Sequence, residues 1–370
     1  MSRELNGGAA ALNAVCAYFT MFPLDFPTGL LADARPGEAV LDPFCGRGTT
    51  LFAARLLGLS SVGIDSSPVA AAISRAKLAR AGAPAVLALV ARILREVEPD
   101  PVPDGPFWAL AYHPETLDGI LRLRAGLRDR TGPAADILRA IVLGALHGPL
   151  AKTRVAFLSN QMPRTFAAKP SYLARYWAER GMAPPRVDVL AHLRVRADRY
   201  LAAPIPPGAP SRVILGDARD AALPRGRFSH VVTSPPYFGM RTYVPDQWLR
   251  GWFLGGPPTP AYVQRGQLGR DGNAGPSLFA AELGRVWANV APACRPGARL
   301  TVRIGAIPSR PSDPIAVLRA SLEASGAPWR ILDVRETAGP GWRRQANQMG
   351  ERGKGSGAAA EYDVACRLAS

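Results

Sequence analysis

The stretch Glu38-Ala-Val-Leu-Asp-Pro-Phe-Cys-Gly-Arg-Gly-Thr-Thr50 decides the fold. A short apolar run ends in an acid, a Gly-x-Gly turn follows, and an apolar helix then runs to about Gly58. A second short strand, Ser61 to Ile64, ends in Asp65, and Pro68 stands where a helix begins. Strand, glycine turn, helix, strand and acid make one half of a Rossmann-type unit, so an α/β fold with a parallel sheet is expected. The turn is not a Walker loop, because Gly46-Arg47-Gly48-Thr49 lacks the Lys before the hydroxyl residue.

Beyond Ala85 this alternation stops. From Val86 to Tyr200 the spacing of apolar residues predicts mostly helix, rich in arginine, as in TLDGILRLRAGLRDR and VDVLAHLRVRADRYL. A polar stretch from Ser159 to Pro170 interrupts it, and residues 201–211, LAAPIPPGAPS, read as a linker. The α/β pattern resumes with Arg212-Val-Ile-Leu-Gly-Asp217 and Phe228-Ser-His-Val-Val-Thr-Ser-Pro-Pro-Tyr237. Helices around 278–290 and 314–324 and strands at 299–305 and 329–335 follow. The expected organisation is one doubly wound domain, residues 1–85 and 212–370, interrupted by a helical insertion, residues 86–200. No internal repeat is visible.

Composition narrows the function classes. The 370 residues are 48% hydrophobic and 20% charged, which suits a packed core and excludes a disordered chain. Glycine and proline are abundant but follow no collagen period. No apolar run reaches the roughly 18 residues of a membrane span. Residues Ala9 to Leu24 do not read as a signal peptide, since Glu4 offsets the early Arg3 and polar Asn13 and Thr20 lie within. The cysteines Cys16, Cys45, Cys294 and Cys366 are scattered without a CxxC, and the histidines show no metal-binding spacing. Neither a disulfide framework nor a metal site is expected, which fits a reducing cytoplasm. The net charge of +16 favours a polyanionic partner. The Arg-, Ala-, Gly- and Pro-rich usage, with lysine only at 77, 152, 169 and 354, is also what a GC-rich genome encodes.

Three acids, Asp42, Asp65 and Asp217, fall at the ends of three successive predicted strands. Singly, Asp65 also reads as a helix cap and Asp217 as a turn acid. The longer string Asp-Pro-Phe-x-Gly-x-Gly-Thr-Thr closely resembles motif I of the S-adenosylmethionine-dependent amino-methyltransferases of DNA, which implies a Rossmann-like class I methyltransferase sheet and S-adenosylmethionine as cofactor. On that resemblance Gly46 and Gly48 let the backbone approach the methionine half of the cofactor. Asp42 serves its amino-acid head, and Phe44 and Thr49 line the pocket. Asp65 accepts from the ribose hydroxyls and Asp217 from the adenine amine. Tyr18-Phe-Thr-Met-Phe-Pro23 looks like motif X, which assigns Phe19 and Thr20 to the cofactor, although both serve equally well as core residues.

The segment Thr233-Ser-Pro-Pro-Tyr-Phe-Gly239 resembles motif IV of the same family, (Asp/Asn/Ser)-Pro-Pro-(Tyr/Phe/Trp). An aromatic exocyclic amine delocalises its lone pair into the ring and is a poor nucleophile. Acceptors on its N–H bonds, here the Ser234 hydroxyl and the Pro235 carbonyl, localise that pair. Pro235 and Pro236 stiffen the loop, and Tyr237 stacks on the extruded base. No Pro-Cys dipeptide of a ring-carbon methyltransferase is present, so direct transfer to nitrogen is expected. The family associates Ser-Pro-Pro-Tyr with cytosine N4 and Asp-Pro-Pro-Tyr with adenine N6, which favours N4-methylcytosine.

Double-stranded DNA is the expected partner, with a cognate restriction endonuclease left open. Arg154, Asn160, Gln161, Arg164 and Lys169 crowd one polar loop; Arg241, Tyr243, Gln247, Trp248 and Arg250 follow motif IV; Arg343 and Arg344 lie in a Gly-rich tail. As clusters they are candidates for phosphates and base edges, while singly each also reads as surface, or as core for Trp248. Motif I precedes motif IV here, whereas many Ser-Pro-Pro-Tyr enzymes have the permuted order. Two other functions remain: an RNA base N-methyltransferase, though no RNA-binding module is visible, and a catalytically silent nucleic-acid-binding protein.

Overall fold

The computed structural model describes residues 3–18, 22–149, 156–162, 167–239, 245–261, 268–269, 275–306, 312–337 and 361–369. Packing divides the chain into two units. One is residues 1–18, 75–205 and 243–262, and the other is residues 19–74, 206–242 and 263–370.

The second unit is built on one sheet. Its strands are β1 (Ala39–Asp42), β2 (Ser60–Asp65), β3 (Ser211–Leu215), β4 (Phe228–Thr233), β5 (Cys294–Gly305), β6 (Trp329–Glu336) and β7 (Glu361–Leu368), in the order β3-β2-β1-β4-β5-β7-β6. The first five run parallel, and β7 lies antiparallel between β5 and β6. This is a Rossmann-like, mostly parallel α/β sheet with one antiparallel strand. Its seventh strand lies beyond the last strand expected from the sequence.

Every residue of β1 is buried, as a central parallel strand covered on both faces requires. Alternate side chains serve opposite faces. Leu41 and Val231 join the cluster of Phe279, Leu283, Trp287, Leu300 and Val302, whereas Val40 and Val232 join Leu31, Ala53, Ala54 and Leu59. Strand order reverses between β1 and β4, and open α/β sheets take ligands beyond the carboxyl ends of such a pair. The proline-rich connection is held rather than slack. Arg55 Nε donates to the Pro206 carbonyl at 2.8 Å, and Gly208 packs on the same arginine.

The first unit is helical, with Ala83–Glu96, Pro114–Leu127, Pro133–Ala145, Pro170–Ala178 and Val189–Tyr200 as its main rods besides the amino-terminal Arg3–Asn13. Four of them carry proline in the first turn, where the missing N–H has no intrahelical partner to lose. Phe107, Trp108, Trp177, Trp248 and Trp252 form an aromatic core. Among the described residues no helix is long and apolar enough to cross a membrane.

In the sheet unit the helices Pro276–Val290 and Pro314–Ala324 pack closely, and Trp287 Nε1 donates to Ser321 Oγ at 2.9 Å. A Cβ at Gly284 would stand 2.8 Å from the Ser321 carbonyl oxygen. Gly284→Val should therefore cost about 1–3 kcal/mol, read as a lower urea midpoint for this unit. An unchanged midpoint would mean that the two helices do not approach as described.

Candidate functional site

The turn between β1 and the helix Thr49–Leu56 is left-handed at both glycines, with φ of 50° at Gly46 and 75° at Gly48. The two serve different ends. A Cβ on Gly48 would meet Ser74 Oγ at 2.6 Å, so this glycine lets the loop lie against the helix Pro68–Leu78. Around Gly46 nothing lies within 4 Å of an added Cβ, and this is the glycine that leaves room for a ligand. Ser74 Oγ also donates to the Gly46 carbonyl at 2.8 Å.

Two carboxylates brace the loop. Asp65, at the end of β2, accepts from Gly46 N at 2.9 Å and from Ser67 N at 2.8 Å. Asp42, at the end of β1 and 1% exposed, accepts on one oxygen from Phe44 N at 3.1 Å and from the Thr233 hydroxyl at 2.6 Å. That second bond ties the glycine loop to the end of β4. Burial pushes the pKa of both acids up to about 6. Among the described residues neither has a cationic partner in an ion pair. Phe44 is half-buried, edge-on to Trp287 at 6.4 Å, and Thr49 is buried in the first turn of its helix. Cys45 is buried against Ser74, and burial holds its thiol well above the ordinary range, so it remains a thiol.

Motif IV leaves β4 directly at Thr233. Pro235 is buried, while Ser234, Pro236 and Tyr237 are half-buried, and the Tyr237 ring packs on the main core cluster. The Tyr237 hydroxyl donates to Glu361 Oε1 at 2.8 Å, and burial holds its phenol well above the ordinary range.

The remaining candidates fall into three groups. Asp217, beyond β3, is engaged with Arg219, whose Nη2 lies 2.6 Å from Oδ2 and whose main-chain N–H donates to Oδ1 at 3.0 Å. Burial alone would raise the Asp217 pKa, and the Arg219 bonds outweigh it and lower it. Arg219 also reaches Glu282 at 3.1 Å. In the helical unit Asn160 turns inward rather than toward a nucleic acid. Its amide nitrogen donates to the Leu110 and Met182 carbonyls and its amide oxygen accepts from Gln161 N. The carbonyl of half-buried Gln161 accepts from Trp177. Gln247, Trp248 and Arg250 are buried in that unit, with Arg250 donating to the Leu143 and Ala17 carbonyls. Lys169 is exposed at the start of the helix Pro170–Ala178. Phe19, Thr20, Arg154, Arg164, Arg241, Tyr243, Arg343 and Arg344 lie outside the described residues.

Sequence reasoning missed Thr233, Ser67, Ser74, Arg219 and Glu361. Asp65-Ser-Ser67 before Pro68 is a legible turn signal. Glu361, far along the chain from motif IV, gave none.

The raised acids have a pH consequence. A carboxyl that holds its proton more tightly in the folded chain contributes stability that is fully present below about pH 4 and is lost as pH rises through about 6. Asp42→Asn keeps an amide oxygen for both accepted bonds and removes the titration. Its stability relative to the parent protein should rise between about pH 4 and 7, by up to about 3 kcal/mol, in urea titrations at stepped pH. A constant difference would mean an unshifted Asp42.

Residues 5–75 match the model of the DNA methylase family of the N6/N4 type. The Type II methyltransferase M.EcaI of Enterobacter cloacae is 55% identical over 40 residues, which make up 11% of this chain and 9% of that protein. Among solved structures, the rRNA methyltransferase aviRa from Streptomyces viridochromogenes is 14% identical, with 97% of this chain and 92% of that one covered and a TM-score of 0.34. A geranyl diphosphate methyltransferase in complex with SAM is 11% identical, with 94% and 84% covered and a TM-score of 0.36. Overlays at such TM-scores add nothing to the strand order described above. The stretch that matches the N6/N4 DNA methylase model, residues 5–75, holds the Gly-x-Gly turn, Asp42 and Asp65.

Proposed function

We propose that the protein is a DNA methyltransferase that moves a methyl group from S-adenosylmethionine to the exocyclic amine of an extruded base, cytosine N4 being the preferred target. The observation that carries this is the Thr233–Asp42 hydrogen bond, which binds the glycine loop to the Ser-Pro-Pro-Tyr loop at the reversal point of the sheet.

The residues present fit the cofactor. Gly46 leaves open space at the loop, and two buried carboxylates, without cationic partners among the described residues, favour a ligand that brings positive charge and hydroxyl donors. Asp65 has acceptor capacity beyond its two main-chain bonds, which suits ribose hydroxyls. When bound, S-adenosylmethionine supplies an electrophilic methyl group on sulfur. Ser234 Oγ and the Pro235 carbonyl accept from the amine, and the prolines fix both acceptors. With the C–S bond of the bound cofactor exchanged for a C–N bond, the amine would release one proton to solvent. Cys45, held as a buried thiol, supports transfer without a covalent enzyme–base bond.

Serine at the first motif position supports cytosine over adenine N6, and the charge of +16 supports a nucleic acid, DNA or RNA, over a small molecule. Target recognition falls on this reading to the helical residues 86–200, and the Type II relative extends it to a restriction partner.

The decisive experiment offers the purified protein labelled S-adenosylmethionine with unmethylated duplex DNA and, separately, total RNA, and identifies the labelled nucleosides by mass spectrometry. N4-methylcytosine from DNA is expected. N6-methyladenine would overturn the base, and label confined to RNA would overturn the substrate. Ser234→Ala should lower kcat by about 10²-fold or more with cofactor affinity nearly intact. Asp65→Ala should weaken cofactor binding about 10–100-fold, measured by calorimetry. An unchanged Kd would remove Asp65 from the ribose.

A further inference from the structure

The β5-β7-β6 edge of the sheet is apolar on one face and charged on the other. Leu300, Val302, Val364 and Cys366 belong to the core cluster with Leu283, Trp287 and Leu318. Side chains alternate along a strand, so Arg299, Thr301 and Arg303 of β5 and Asp363, Ala365 and Arg367 of β7 stand on the opposite face. Cross-strand pairing sets these residues in rows. In one row Arg303 lies opposite Asp363, and Asp363 opposite Arg335 of β6. Its charges are matched: Arg303 donates to both Asp363 oxygens at 2.7 and 2.8 Å, and Arg335 donates to Asp333 at 2.5 Å.

The row nearer the amino end of β5 is built differently. Arg299 lies opposite Arg367, and Arg367 opposite Arg330. All three are exposed, and among the described residues none of them is in an ion pair. On β4 the same row reaches His230, which has Glu38 at 3.0 Å. Directly opposed residues hold their Cβ atoms about 4.5–5.5 Å apart, where like charges repel. The fold thus supplies acids to His230, Arg303 and Arg335 around the row and none to the three arginines within it. Such a surface is complementary to a partner that carries closely spaced negative charge.

The spacing suits a nucleic-acid backbone. Adjacent strands lie about 4.8 Å apart, so the row spans about 10 Å, a rise over which one DNA strand presents about three phosphates. A guanidinium takes a phosphate through two parallel N–H bonds. The row lies level with His230, three residues before Thr233, or about 10 Å along β4 from the motif IV loop. We propose that Arg299, Arg367 and Arg330 form a phosphate-binding row, which grips the backbone of duplex DNA at a distance from the reacting base. This rests on the methyltransferase function proposed above.

The test uses the full-length protein and fluorescence anisotropy with a labelled DNA duplex from 50 to 300 mM salt. Each of Arg299→Gln, Arg330→Gln and Arg367→Gln should lower the slope of log K against log salt by about 0.9. The triple variant should bind DNA about 10–100-fold more weakly at 150 mM salt. Its KM for DNA should rise in step, with kcat at saturating DNA and the calorimetric Kd for S-adenosylmethionine within about twofold. Urea midpoints of the single variants should be unchanged or higher, because a like-charge neighbour is removed. A lower midpoint would make these arginines supports of the sheet and overturn the proposal. Arg212, Arg225 and Arg319, exposed elsewhere on this unit, are changed together to Gln as a control that removes the same charge. Equal weakening by the control would overturn the row in favour of overall charge, and weakened binding of an RNA duplex alone would overturn DNA as its occupant. If the parent methylates DNA and the triple variant keeps the parental slope, this inference alone fails. If the parent neither methylates nor binds duplex DNA, the proposed function fails and this inference with it.

Discussion

The site depends on a hydrogen bond between buried groups, Thr233 to Asp42 at 2.6 Å, with the Thr50 hydroxyl donating to the Val232 carbonyl at 3.3 Å beside it. β1 and β4 are neighbours in space but are separated by some 190 residues of sequence, and their carboxyl ends carry the two loops that the proposed chemistry needs. Main-chain pairing aligns the strands only as far as their last residues. Beyond that point the loops are free to diverge, and the side-chain bond keeps them together. It is also costly to break, because a buried acceptor that loses its donor keeps the full desolvation penalty. Asp42 therefore braces the junction whatever else it binds.

The same economy appears around the glycine turn. Asp65 holds the loop through Gly46 N and the start of the next helix through Ser67 N, and it does so with main-chain donors that only proline would remove. Gly63 on β2 completes the fit, since a Cβ there would meet Leu51 and Cys45. The loop is thus set from below by packing and from the side by a carboxylate. Open space remains at Gly46.

Much of this was legible in the sequence because the signals are local. The apolar run at 39–41, the Gly-x-Gly turn and the acids that end β1 and β2 lie within one short stretch. The Ser-Pro-Pro-Tyr loop adjoins its own strand in the same way. What stayed hidden depends on tertiary pairing. Asn160 and Arg250 look like nucleic-acid ligands in sequence, but the helical unit uses their hydrogen-bonding groups to satisfy buried carbonyls. Asp217 reads as a free acid until Arg219, two residues on, folds back onto it. β7 had a faint signal in the alternation of Val364, Cys366 and Leu368, all buried. Nothing in its sequence shows that it slots between two earlier strands.

That slot affects the order in which the protein can be assembled. β6 is made before β7 yet, among the described residues, pairs with no strand but β7. As the chain leaves the ribosome, β5 and β6 wait with open hydrogen-bonding edges, and β6 carries exposed Leu332 and Val334 as well. Unpaired apolar edges are where nascent chains associate wrongly. The sheet unit thus stays vulnerable until its seventh strand is synthesised. The same strand brings Glu361 to Tyr237, so the motif IV loop receives its last support at the moment the sheet closes.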